Sequence, residues 1–490
     1  MPGTIPGVLD ARALMDSGAD HGTRLSPLDG SFLRLESAQS HMHVGFSAVF
    51  AAPAGAPRPT VEALRERAAG RLHEVPWCRW RLDPAPLGLS EPRWVDDTEF
   101  DLQTHIVALT DPGDPVSYSR LEALRSAVLS VPLDRSRPLW QISLVPQLDD
   151  GRIGMVGKIH HALVDGLAAL QIVNLILDAE PDTPSRPPVP WQPRARSGRV
   201  GWTLDAVTRS VSDGAGALRA GATAAMRPRA TAGNLLRGAR RVLGAAAEEV
   251  LSPAPASALN VPIGARRTLV GYHAGRDELR AARRGGGTLN DVGLAAVAGA
   301  VRALLQRDGQ PSPLGPLKAM VPVSMRRHGD AAAGNQISMI TIALPVHVDA
   351  VHERLEWVRD QTRRVKQTDR PDGTLKLYQA AALLPAPLRT PAAKAMAAPR
   401  QFNLTVSQSP APRGSLYLLG CELEEVYSVV PIAQGHALAI GMVRYRQELF
   451  FGCYADPDAL PEIDRLPALI EAELQELGGA ATRAGTGSIV

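Results

Sequence analysis

The residues best suited to chemistry stand together at Lys158-Ile159-His160-His161-Ala162-Leu163-Val164-Asp165-Gly166. Ile153, Met155 and Val156 ahead of them read as a short buried strand, and Leu163, Leu167, Leu170, Val173 and Leu177 after them recur at helical spacing. The histidines therefore fall where a strand ends and a helix begins, a place that exposes a side chain without surrounding it. Neighbouring residues on a strand point to opposite faces, so His160 and His161 cannot both face one small ligand. That argues against a metal site, which needs i, i+2 spacing on a strand or i, i+4 on a helix. It suits a division of labour, one imidazole in an active space and the other packed behind it. Imidazole titrates near neutrality and takes a proton from a hydroxyl in general-base catalysis. Asp165, four residues after His161, either orients an imidazole or pairs with an arginine to fix the loop, and Gly166 lets the backbone pass closely.

The combination His160-His161-x-x-x-Asp165-Gly166 resembles the active-site motif of the coenzyme A-dependent acyltransferase superfamily, which includes chloramphenicol and carnitine acyltransferases and peptide-synthetase condensation domains. Four further segments resemble one branch, the bacterial wax ester synthase/diacylglycerol acyltransferase family. They are Leu25-Ser26-Pro27-Leu28-Asp29 with Phe32-Leu33 and Met42-His43-Val44-Gly45; Pro138-Leu139-Trp140; Asn290-Asp291; and Val321-Pro322-Val323-Ser324-x-Arg326 with Gly334-Asn335. The matches follow the family's order from about Leu25 to Pro461, and five in order outweigh any single short motif. One segment departs. Where the family carries Ser-Asn-Val-Pro-Gly-Pro, this chain reads Ser407-Gln408-Ser409-Pro410-Ala411-Pro412. A turn that relied on glycine would be strained by Ala411.

The resemblance implies an α/β (α+β sandwich) fold of two chloramphenicol-acetyltransferase-like domains with the active site in a tunnel between them. It implies transfer of a long-chain acyl group from acyl-CoA to diacylglycerol or a fatty alcohol, giving triacylglycerol or wax ester. His161 would be the general base, His160 structural, and Asp165 a salt-bridged support. A thiol of pKa about 8.5 leaves readily, so no covalent acyl-enzyme is required, acyl-CoA is a substrate, and no cofactor is expected. Asn290 is a candidate to stabilise the oxyanion; equally, Thr288 or Asn290 caps the helix that begins there. Pro138-Leu139-Trp140 shapes the tunnel wall or simply starts a strand, Asp291 supports the same site, and Ser324 and Arg326 reach coenzyme A phosphate or end a solvated strand. His41 and His43 share a strand face but lack a third ligand, so no metal site is expected. Two other functions compete: condensation-type transfer on carrier-bound thioesters, and a catalytically silent lipid-surface protein in which the Gln408–Pro412 change has stopped turnover.

The elements that must position these residues alternate through 490 positions. Strands are expected at Val44–Phe50, Arg93–Val95, Leu139–Val145, Ile153–His160, Leu269–His273, Leu317–Val323, Ile337–Pro345, Phe402–Val406, Ala437–Val443 and Leu449–Tyr454. Helices are expected at Thr60–His73, Ser119–Leu129, Leu289–Gln306, Leu355–Lys366 and Leu466–Leu477, with an Asp149-Asp150-Gly151 hairpin turn. The mixture favours a sandwich over a bundle. The length exceeds one ordinary core, and composition divides it into 1–180 with the histidine motif, a Pro/Arg-rich linker at 181–262, a second acyltransferase-like domain at 263–477, and a disordered tail at 478–490.

A net charge of +3 gives no case for nucleic-acid binding. Three dispersed cysteines indicate a cytoplasmic, disulfide-free protein, Met1–Asp20 lacks an apolar signal core, and no apolar run reaches the ~18–20 residues that span a bilayer. Any lipid substrate would then be met at a surface. The stretch from Arg186 to Arg241 holds eleven arginines against Asp205 and Asp213, with Val200, Leu204, Val207 and Val211 at helical spacing. It is either a solvated crossover or a basic amphipathic segment that rests peripherally on the inner membrane face or a lipid droplet.

Overall fold

The computed structural model describes residues 24–55, 57–85, 91–163, 169–194, 253–306, 315–324, 337–367, 386–409 and 414–486. The first half begins with helix α1 (Pro27–Leu35), whose start is set by the Ser26 side chain accepting the Asp29 N–H and by Pro27 in the first turn. It continues through β1 (His43–Ala51), α2 (Val61–Ala69), β2 (Trp80–Asp83), β3 (Arg93–Asp96), α3 (Leu102–His105), β4 (Ile106–Ala108), α4 (Tyr118–Leu129), β5 (Trp140–Val145), β6 (Ile153–His160) and α5 (Ala169–Ile176). The second half holds β7 (Thr268–Ala274), α6 (Arg276–Ala282), α7 (Leu289–Leu305), β8 (Leu317–Ser324), β9 (Ile337–Leu344), α8 (Val351–Gln367), α9 (Ala386–Met396) and β10 (Leu404–Ser409). It closes with β11 (Tyr417–Leu418), β12 (Cys421–Val429), β13 (Leu438–Tyr445), β14 (Glu448–Ala455) and α10 (Leu466–Thr486).

Two mixed six-stranded sheets, ordered β11-β12-β1-β6-β5-β4 and β7-β14-β13-β10-β8-β9, form a layered α/β architecture, the class expected from the alternating pattern. The Asp149–Gly151 turn joins β5 to β6, with Gly151 at φ 88°, a conformation glycine adopts without strain. Helix α7 is buried from Asp291 to Val301 and packs against α8 and α10. Among the described residues no single helix is long and apolar enough to cross a membrane.

The first sheet is completed by chain from the second half. Strand β12 pairs antiparallel with β1 along Gly45↔Val429 to Ala51↔Glu422, so a cut between sequence halves does not divide the sheets. To reach β1, β12 lies across the second sheet over a row of neighbouring glycines, Gly271, Gly452 and Gly441 on β7, β14 and β13. A Cβ at Gly452 would stand 2.5 Å from the Ser428 carbonyl oxygen, and one at Gly271 2.5 Å from the Tyr427 ring. Bare backbone there makes the groove in which β12 is seated.

Two expectations about the flanking segments change. The tail expected to be disordered from Gly478 is helical to Thr486, because α10 runs on past Leu474 and Leu477, both buried, and Gly478 fits against Ala281 of α6. The proline-rich start of the linker is extended and lies on the first half: the Arg194 N–H donates to Asp96 Oδ2 at 2.8 Å and the Arg79 guanidinium covers the Trp191 ring at 4.7 Å. The basic amphipathic stretch falls almost wholly outside the described residues.

Candidate active site

Pairing of β1 with β6 sets His160 opposite His43, and His161 follows at the strand end with its N–H donating to Met42 O at 3.0 Å. The two-residue alternation of the strand then separates the neighbours. His161 lines a cavity between the two sheets, its ring stacked on Phe32 of α1 at 3.9 Å and 7°. His160 has no exposed surface. Its Nδ1 accepts the Ala162 N–H at 3.0 Å, its carbonyl accepts the Leu163 N–H at 2.9 Å, and its own N–H donates to Leu139 O at 2.9 Å. These bonds close the turn that carries His161. Burial, with smaller contributions from Arg135 and His161, pushes the His160 pKa down to about 3, so its ring is neutral. The Glu36 Oε1 lies 3.7 Å from His160 Nε2, and Glu36 in turn pairs with Arg135.

The cavity is walled on one side by Val44, Phe46, Ala48 and Phe50, which share one face of β1, and by Ile172 and Ile176 of α5. On the other side stand Pro322, Met339, Val443 and Tyr445 of the second sheet, and Ser407, Ser409 and Ser428 add hydroxyls. The cavity's volume is about 210 Å³ and its lining is mostly apolar. Lys158 borders it, but its Nζ donates to Val128 O and Val131 O at 2.8 and 2.7 Å, capping the C-terminus of α4. Burial brings the Lys158 pKa down to about 8.

Several candidates sit elsewhere. Trp140 is buried with its Nε1–H on Cys78 O at 2.7 Å and its ring on His105, and neither it nor Pro138 nor Leu139 lines the cavity. The expected tunnel wall is instead the start of β5, with Leu139 holding the His160 turn. Asn290 and Asp291 do not line the cavity either. Asp291 completes a capping box with Thr288 and accepts the Thr362 hydroxyl at 2.8 Å, so Thr288 caps this helix, as one of the two readings of the segment expected. Ser324 ends β8; Asp165, Gly166, Arg326, Gly334 and Asn335 lie outside the described residues. The departing segment is split: Ser407 and Ser409 face the cavity while Gln408 is exposed, and 410–413 lie outside the described residues. His41 contacts Ala38 O and Leu129 O, His43 Nε2 lies 3.3 Å from the Tyr454 hydroxyl, and the His41 and His43 rings are 5.6 Å apart.

Phe32 and Glu36 were not singled out for the site by sequence reasoning. A signal was present, since Ser26-Pro27 marks a helix start whose one turned face carries Phe32 and whose end is Glu36.

The chain matches family models described as the wax ester synthase/diacylglycerol acyltransferase catalytic domain over residues 25–293 and the WS/DGAT C-terminal domain over residues 333–478. A probable diacylglycerol O-acyltransferase of Mycobacterium tuberculosis is 32% identical over 469 residues, covering 92% of this chain and 98% of the relative. The O-acyltransferase WSD of Acinetobacter baylyi is 31% identical over 472 residues, covering 94% and 98%. Among solved structures, the wax ester synthase/diacylglycerol acyltransferase from Marinobacter aquaeolei VT8 superposes with a TM-score of 0.67 at 28% identity, covering 94% of this chain and 100% of that one. The starter condensation domain of rhizomide synthetase, at 14% identity and a TM-score of 0.57 over 97% and 96%, shares the fold.

Proposed function

Because the chain belongs to the wax ester synthase/diacylglycerol acyltransferase family, we propose that His161 is the general base by which it joins an acyl group to a lipid alcohol. The protein is an O-acyltransferase that takes its acyl group from acyl-CoA and passes it to diacylglycerol, a fatty alcohol, or both. The observation that carries the assignment is the His161 ring on the wall of an apolar cavity between the sheets. The imidazole takes the proton of the acceptor hydroxyl as its oxygen attacks the thioester carbonyl carbon. The tetrahedral intermediate collapses with loss of the C–S bond, and the coenzyme A thiolate leaves to be protonated by the imidazolium. Asp165 keeps its proposed part as support for the loop.

No cofactor enters this scheme, because the thioester already provides a good leaving group. A cysteine nucleophile is poorly suited, since burial raises all three thiols, Cys421 to about 11 and Cys78 and Cys453 further above the ordinary range. The cavity wall runs along β1 from Val44 to Phe50. Six residues at ~3.3 Å span roughly 20 Å. An extended acyl chain with C–C bonds of about 1.52 Å advances roughly 1.25 Å per carbon, so that wall is as long as a chain of about 16 carbons. This supports a long-chain donor. Peripheral contact with a lipid surface through the Arg186–Arg241 stretch is part of the same proposal, supported by its charge and apolar spacing.

The test is thiol release from palmitoyl-CoA by purified protein offered diacylglycerol or hexadecanol, beside a His161→Ala variant. Acceptor-dependent release that the variant loses is expected. Equal release from both proteins would remove His161 from the mechanism.

A further inference from the structure

We propose that Glu36 is a positioning residue for this reaction: its carboxylate holds His160 in the Nε2–H tautomer, and His160 so held fixes the turn that presents His161. The inference rests on the reading of His161 as the base. A neutral imidazole carries one N–H. The Ala162 N–H points at His160 Nδ1 from 3.0 Å, so Nδ1 must be the acceptor and the proton must sit on Nε2. In the other tautomer two donors would face each other and this turn could not close, so a group that favours the proton on Nε2 favours the turn as well. Nε2 is buried without a hydrogen-bond partner, and the group it faces is Glu36 Oε1 at 3.7 Å. That distance is too long for a hydrogen bond, but in a buried site a carboxylate facing an N–H dipole favours that orientation strongly.

Glu36 also controls the other side of His161. Its backbone N–H donates to Phe32 O at 3.0 Å as the cap of α1, and the Phe32 ring stacks on the His161 ring. Arg135 pairs with the same carboxylate and donates to Leu33 O at 2.8 Å, tying the end of α1 to the loop before β5. The Glu36 side chain is 7% exposed. One residue thus joins the ring that His161 rests on, through its backbone, to the histidine that shapes its turn, through its carboxylate. The chain spends a buried acid here although no mechanism step requires one, and burial raises the Glu36 pKa while Arg135 opposes the rise.

The experiment combines kinetics with nitrogen NMR of the full chain labelled with [15N]histidine, the His160 signals being assigned by their loss in His160→Asn. Wild-type protein is expected to show His160 protonated at Nε2 and bare at Nδ1. Glu36→Ala should mix the tautomers and lower kcat about 10- to 100-fold with KM within about threefold, less than the roughly 10⁴-fold seen when a base itself loses its tautomer. Glu36→Gln keeps an acceptor oxygen without the charge, so it should retain the Nε2–H form and most of the activity, as should Arg135→Met. Wild-type His160 protonated at Nδ1, or Glu36→Ala with unchanged kcat and spectrum, would overturn the proposal. So would Arg135→Met reproducing the Glu36→Ala loss, which would make Glu36 a mere tether. If Glu36→Ala does not fold, Glu36→Met, which keeps the buried bulk but offers no acceptor oxygen, is read by the same spectrum and kcat, and wild-type values in it would overturn the proposal. Activity surviving in His161→Ala would instead refute the base assignment and leave the tautomer result standing.

Discussion

Replacing Gly452 by alanine tests the idea that a row of bare backbone seats the crossing strand. The new Cβ would lie 2.5 Å from Ser428 O, 3.3 Å from its nitrogen and 3.4 Å from its carbonyl carbon. The obstructing oxygen belongs to backbone that the β1–β12 ladder holds in place through Phe46↔Ser428, so no rotamer relieves it. Strand β12 must retreat by about 1 Å, which forfeits a quarter to a half of the dispersion energy of the contacts beneath it. Tyr427 and Val429 are buried in that layer, and overpacking of this kind costs about 1–3 kcal/mol. The methyl group returns about 0.5 kcal/mol by restricting the unfolded chain. A net loss of about 2 kcal/mol should lower the thermal midpoint of a chain of 490 residues by about 2 °C, followed by circular dichroism. Ser428→Gly should not rescue this variant, because the clash is with the carbonyl. It should partly rescue Gly441→Ala, where the Ser428 hydroxyl is the nearest atom. Gly479→Ala is the control, with nothing within 4 Å of its Cβ. A Gly452→Ala protein melting within 1 °C of wild type would refute the seating argument.

Ala48 stands halfway along the cavity wall, so Ala48→Phe should block long chains. The ratio of kcat/KM for palmitoyl-CoA over octanoyl-CoA is expected to fall at least about tenfold, and an unchanged chain-length profile would place the acyl group elsewhere. Trp140→Phe leaves the buried Cys78 carbonyl without its indole donor and should cost about 2 kcal/mol, read as a lower urea midpoint. His436 is buried against Phe402 and its pKa is pushed down to about 4, so its neutral form stabilises the fold fully above pH 6.5 and that contribution is lost as pH falls through about 4. His436→Gln should therefore flatten the decline in thermal midpoint between pH 6.5 and 4, and an unaltered slope would remove His436 from the acid transition.

Most strands and helices were legible because their burial follows a period of two or 3.6 residues. The expected Ile153–His160 strand is observed with those bounds, and Val44–Phe50 gains one residue at each end. Strand β12 was missed for a physical reason. Its sequence Cys421-Glu422-Leu423-Glu424-Glu425-Val426-Tyr427-Ser428-Val429 is acidic in the middle, and only across the fold does Glu425 meet Arg152 and the Tyr118 hydroxyl. The Asn-Asp segment stayed ambiguous for the opposite reason: Thr288 and Asp291 satisfy each other locally, and a capping box and a catalytic pair look alike in one dimension.

The sequence by itself determined that His160 and His161 face opposite ways at a strand end, that a turn follows Asp149, and that the motifs of one acyltransferase family stand in order. These depend on the pleat, on turn chemistry and on residue identity, all of which act between near neighbours. Only the tertiary structure decided that β12 leaves its own half to complete the other sheet, that Ser407 and Ser409 face the cavity while Asn290 does not, and that Glu36 stands opposite His160. Those relations join residues far apart in the chain, and packing of the two sheets, which no local period encodes, sets which of them meet.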